Sequence, residues 1–301
     1  MKSSRRSAKP ASRWMGLLVA AGVAAPGLVR AQPVDLFYER TVMTQADARC
    51  GLFAPEVGAA LAASAAQARG AALRAGTSAD SLRNTAALAR GKADAVACSA
   101  PDLAIAATRV RAAFSGYSKI SRLTYAGDVA DWRADRNVTK AARWRLIQDT
   151  TFGPDRMSFG LAGRDGSAAL VAVARFADGA EPYAARLVLR NTNRSPQPYL
   201  DRWGGGSTAG LPLARRLPPA SALRSFAAAA RSAAGPELMP KGAVDGWAFR
   251  FPDAAAQELA NLDPREAVAV EFLFPGDVVR RAYVEVGDFA AGRAFLQLAA
   301  Q

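Results

Sequence analysis

Apolar residues recur every three or four positions through the first third of the chain. "PVDLFYERTVMTQADA", from Pro33, carries Leu36, Phe37, Tyr38 and Val42 on one side. A second run, from Ala54 to about Arg74, has a narrow stripe of Val57, Leu61, Ala65, Ala68 and Ala72. Pro55 stands early in it, where a missing N–H costs nothing. Gly76 ends that run, and Thr77 or Ser78 can cap a third carrying Leu82, Thr85 or Ala86, Ala89, Ala93 and Val96. After "SAPD" a fourth presents Leu103, Ala107, Val110, Phe114 and Tyr117. This spacing predicts four helices, the second and third being antiparallel neighbours across Gly76.

From about Leu123 the pattern changes to alternation. Strands are expected at 143–149, 156–162, 168–176, 184–191 and 245–251, with helices near 220–233 and 252–262 and a last one from Asp288. "EAVAVEFLFPGDVVRRAYVEV" reads as a hairpin about Pro275-Gly276-Asp277. A three-residue loop there pairs Phe274 with Val278. It sets Glu271 opposite Arg281 and Ala267 opposite Glu285, with Val268–Val284 and Val270–Ala282 on the buried face. The fold class is therefore α+β: a helical region over 32–120, then an α+β region over 121–301 with a mainly antiparallel sheet. Residues 191–219, "NTNRSPQPYLDRWGGGSTAGLPLARRLPP", are nearly all turn formers. A loop this long is a mobile connector or a functional lid, hinged at Gly204–Gly206, with Tyr199, Leu200 and Trp203 available to dock and few contacts to the core.

The N-terminus changes the picture of where the chain lives. Lys2, Arg5, Arg6, Lys9 and Arg13 precede an apolar run from Met15 to Val29, and Ala31 offers a small residue at a cleavage point. The run is shorter than the roughly 20 residues of a spanning helix and is broken by glycines and a proline. Residues 1–31 read as a cleaved secretory signal, with an uncleaved anchor as the alternative. "SRRSAK" falls one residue short of a twin-arginine signal, so general secretion is the expected route to the periplasm. Cleavage removes six of 39 bases and none of 26 acids, taking the net charge from +13 to +7. The remaining bases are spread out, 10 against 7 acids over 32–120 and 23 against 19 over 121–301, which argues against a nucleic-acid partner. An envelope protein or an anionic envelope polymer is the partner class left open. Cys50 and Cys98, an even pair without C-x-x-C spacing, read as a structural disulfide in an oxidising compartment.

Candidate chemistry is sparse. The chain has no histidine, which removes Ser-His-Asp and Cys-His nucleophiles and histidine metal sites. There is no phosphate-binding glycine loop, and "GRDGS" at Gly163–Ser167 lies between two expected strands as a turn. Asp128, Asp131 and Asp135 fall at helical spacing but lack a calcium-loop glycine and stand among arginines, so a solvated charged face is the plainer reading. In "WRADRNVTKAARWR", Trp132, Trp144 and Arg145 form either a stacking platform for a partner or two buried tryptophans beneath surface arginines. Glu271 and Glu285 share one face of the hairpin but stand four residues apart, about 13 Å. Glycosidase pairs need roughly 5–9.5 Å. No catalytic residue, metal site or cofactor is assigned.

The stretches "LFYERTVMTQADARCGLF", "PYAARLVLRN" and "YVEVGDFAAGRAFL" resemble a family of uncharacterised exported proteobacterial proteins. The resemblance implies export and a shared domain plan, and carries no activity. The expected function is non-catalytic binding or scaffolding in the envelope, with Tyr199, Trp203, Trp132, Trp144 and Arg145 as candidate partner-binding residues. The alternatives are a carboxylate-dependent hydrolase of an envelope polymer and a small-ligand carrier, which needs an apolar cavity of several hundred cubic ångströms.

Overall fold

The structure, a computed structural model, describes residues 32–137, 139–164, 167–200, 208 and 210–297. Residues 1–31, read above as a secretory signal, and Trp203, with Gly204–Gly206, lie outside the described residues.

Four helices come first: α1 (Pro33–Cys50), α2 (Pro55–Arg74), α3 (Ala79–Ala95) and α4 (Pro101–Tyr117). α1, α2 and α4 each open on a proline, and Ser78 caps α3 by accepting the Ser81 N–H. The expected α2–α3 pairing needs correction. α1 lies along both α2 and α3, and those two meet mainly at their turn, where Ala68, Ala72, Leu73, Ala79 and Leu82 enclose Phe37. The alanine stripes of α2 and α3 have little to interlock with each other. The bulkier side of α1, Phe37 at one end and Val42, Met43 and Ala46 at the other, gives both something to pack on. α1 and α3 thus run parallel and end together, where Cys50 and Cys98 form the expected disulfide with Cα atoms 5.6 Å apart. Arg49 reinforces that end by donating to the Ala93 and Val96 carbonyls of α3.

The remainder is a two-sheet sandwich. One sheet has the order β1 (Arg122–Tyr125), β2 (Trp132–Asp135), β3 (Arg143–Phe152), β4 (Asp155–Arg164), β5 (Ser167–Arg175), β9 (Trp247–Arg250), β8 (Ala230–Ala233). The other runs β11 (Val278–Glu285), β10 (Ala267–Phe274), β6 (Ala184–Arg190), β7 (Leu223–Ala227). Every pairing is antiparallel. The facing sides enclose one core containing Trp132, Phe159, Phe249, Phe272 and Val270. β3 bulges between Trp144 and Leu146, and just past the bulge, opposite Ile147, Gly160 sits at φ +150°, where a Cβ would lie 2.0 Å from the Leu146 carbonyl. α5 (Asp253–Ala260) and α6 (Phe289–Gln297) add further apolar side chains to this core, and α2 docks against α6. No helix among the described residues is long and apolar enough to cross a membrane.

Two other expectations are corrected. The alanine-rich stretch 220–233 is not a helix: a short 3-10 turn at Ala220–Ala222 leads into β7 and β8. Pairing of β7 with β6, which buries Phe226, overrides helix propensity. Asp128, Asp131 and Asp135 share no helix face either, because β1 and β2 form a hairpin there.

Candidate functional site

The hairpin β10–β11 has the register expected from its turn, from Phe274–Val278 to Ala267–Glu285. Glu271 is held by Arg281 across the strand pair and by Arg186 from β6. Burial works to raise its pKa, but the hydrogen bonds and charges of those two arginines outweigh it and hold the carboxyl below its ordinary value. Glu285, fully buried, faces the turn between β1 and β2. Its carboxylate accepts the backbone N–H groups of Asp128 at 2.9 Å, Val129 at 2.8 Å and Ala130 at 3.2 Å. Three successive N–H groups aimed at one point make a nest for an anion. Gly127 permits the approach, since a Cβ there would lie 2.8 Å from the Glu285 carboxylate and 2.1 Å from the Ala130 carbonyl.

Around that contact lies a chain of buried charges. Arg216, with no exposed surface, donates to Asp128 at 3.0 Å and to the Thr208 and Leu211 carbonyls, and stands 4.0 Å from Glu285. The Thr208 hydroxyl donates to Asp128 at 2.8 Å. Arg74 of α2 is 4.0 Å from Asp128 and donates two bonds of 3.0 Å to Asp288. Burial raises the Asp288 pKa, and Arg74 offsets this only in part. The junction therefore ties α2, the β1–β2 turn, residues 208–216, the end of β11 and the start of α6 together. Its carboxylates already bond to arginine, to backbone or to both. Its chemistry is that of a structural anchor.

The sequence-derived partner residues do not converge. Trp132 is fully buried and donates its indole N–H to the Glu285 and Val286 carbonyls, so it has no surface to offer a partner. Trp144 lies against Ala162, Val171 and Val173 on the opposite face of the same sheet and donates to the Leu238 carbonyl. Arg145 donates to the Asn137 carbonyl. Tyr199 is half-buried, its hydroxyl pKa raised by burial and by the charge of Glu266. The described parts of the 191–219 segment, residues 191–200, 208 and 210–219, are better anchored than their composition suggests. Arg190, paired with Glu266 inside the protein, also bonds the Ser195 and Pro196 carbonyls, and Leu200, Thr208 and Arg216 are buried. The expectation of few core contacts there is corrected. Composition registers glycine and proline, and it does not register one long cation folded inward.

Two hollows remain. The larger, about 1040 Å³, lies beside the β3–β4 turn and is lined by Phe152, Asp155, Asp178, Pro212, Arg280 and Tyr283. Its charges consume one another, for Arg280 bridges Asp155 and Asp178 and, with the Ala180 N–H, holds the Asp178 pKa down at about 2. The second, about 520 Å³, lies between α2 and α4. Of the apolar stripe on α4, Leu103 and Ala107 are buried, while Val110, Phe114 and Tyr117 are half-buried and line this cleft. Val57, Ala60, Leu61 and Ala63 of α2 form the facing wall, and Leu123, Tyr125 and Ala291 close the inner end. The Tyr125 hydroxyl donates to the Ala291 carbonyl at 3.3 Å and hydrogen-bonds with Tyr117, so that end presents carbon rather than free polar groups. The α4 stripe was legible in the sequence. Its standing off from α2 was not.

No family model, curated protein or solved structure matches the chain.

Proposed function

We propose that this is an exported, non-catalytic binding protein of the cell envelope that takes an apolar ligand in the cleft between α2 and α4. The supporting observation is the cleft itself. Its size falls within the range of roughly 300–1,000 Å³ typical of ligand sites, and its α4 wall consists of half-buried side chains, Val110, Phe114 and Tyr117, that a closed helix pair would have buried. The export reading adds a compartment in which the Cys50–Cys98 disulfide is at home. The carboxylates singled out for hydrolysis are engaged, Glu271 with two arginines and Glu285 with three backbone N–H groups, which favours binding over turnover. The test is titration with N-phenylnaphthylamine, an uncharged dye that fluoresces in apolar surroundings. Saturable binding to the wild type is expected. Its loss is expected in Ala113→Trp, which fills the cleft from the exposed side of α4 and leaves the melting temperature unchanged. Absence of saturable binding, or binding indifferent to Ala113→Trp, would overturn the reading.

A further inference from the structure

The cleft is not uniformly apolar, and its charge is one-sided. Among its lining residues are two guanidinium groups, Arg40 and Arg109, and no carboxylate. Arg109 makes no hydrogen bond or ion pair among the described residues. Arg109 is exposed at the cleft's mouth side, whereas Arg190, Arg216 and Arg265, which are buried, each face a carboxylate. Arg40 is half-buried and donates to the Ser64 carbonyl at 2.8 Å, with no carboxylate within 4.0 Å among the described residues. A half-buried cation held only by a neutral carbonyl is an incomplete arrangement, which an incoming anion would complete.

Arg109 stands eight residues before Tyr117 on α4, about 12 Å from the uncharged end formed by Tyr117, Leu123, Tyr125 and Ala291. The wall from Val57 to Gln67 spans about 15 Å of α2. Ala60 and Ala63 keep that wall shallow, which suits the width of one alkyl chain. We propose that the cleft binds a single-chain aliphatic carboxylate, its chain against α2 and α4 toward Tyr117 and its head group at Arg109, with Arg40 adding its charge to the same cleft. This rests on the binding reading above and names the ligand class for the same site. Desolvation lowers the pKa of Arg40, only partly offset by Glu39, and a bound carboxylate would relieve that cost.

The experiment is displacement of N-phenylnaphthylamine from the purified protein at low salt by dodecanoate, dodecanol and dodecyltrimethylammonium, each below its aggregation threshold. Dodecanoate should bind on the order of tenfold more tightly than dodecanol, as expected for a charge-assisted hydrogen bond, and the cationic amphiphile most weakly. Removing two methylenes from the acid should weaken it on the order of tenfold. Arg109→Gln should remove most of the preference for dodecanoate over dodecanol, and Arg109→Lys should keep most of it. If the dye binds and is displaced equally by acid and alcohol, the carboxylate assignment is overturned and the binding cleft stands. If the dye does not bind at all, both fall.

Discussion

Replacing Arg216 with alanine tests whether the buried charge junction, rather than loop composition, holds residues 208–216 in place. The arginine makes three hydrogen bonds of 2.9–3.0 Å, to Asp128 and to the carbonyls of Thr208 and Leu211. Its removal leaves Asp128 with the Thr208 hydroxyl and with Arg74 at 4.0 Å, and takes away a cation 4.0 Å from the fully buried Glu285. Breaking a buried ion pair from one side costs about 3–5 kcal/mol. The three backbone N–H groups still solvating Glu285 place this case at the lower end, about 3 kcal/mol. For a chain of this size that corresponds to a fall in melting temperature of roughly 6–12 °C. Calorimetry at neutral pH measures it, and limited proteolysis should cut the freed 208–216 segment faster. Arg215→Ala, an exposed neighbour, is the control and should stay within about 0.5 kcal/mol of wild type. A shift below about 2 °C for Arg216→Ala, with unchanged proteolysis, would refute the view that this cation anchors the loop.

Two further outcomes follow from the pairings. Glu271 has a folded-state pKa below its ordinary value, so the stability it contributes is fully present above about pH 4.5 and is lost as pH falls through the folded value. Glu271→Gln should therefore flatten the acid side of a melting temperature–pH profile, and a variant profile parallel to wild type down to pH 3 would contradict the assignment. Reduction of Cys50–Cys98 reopens a 48-residue separation, which the chain-entropy relation values at about 4 kcal/mol. Thiol reductant should lower the urea midpoint without changing the β-sheet signal at zero denaturant, and a midpoint insensitive to reduction would show that the helices hold without the staple.

Much of the local architecture was legible in the residues because it depends on neighbours in sequence. Prolines at helix starts, Ser78 as a cap, the disulfide partners and the hairpin turn at Pro275-Gly276-Asp277 each act within a few residues or through one covalent bond. The hairpin register carried Glu271 to Arg281 because side chains alternate with a period of two, leaving no freedom once the turn length is set. What the tertiary structure decided were matters of competition between distant segments. Alanine at 220–233 favours helix locally, yet the open edges of β6 and β9 took those residues as strands. The 191–219 segment looks free by composition, yet Arg216 reaches Asp128, 88 positions away. Trp132 reads equally as platform or core until β2 is placed under α6, where Phe289 meets it at 5.1 Å. The cleft is of the same kind. The apolar stripe on α4 follows from helical periodicity. Its partial exposure follows from how α4 packs beside α2, with Leu103 against α1 and Tyr117 against Phe295 of α6, a distance set by packing and not by the order of residues along either helix.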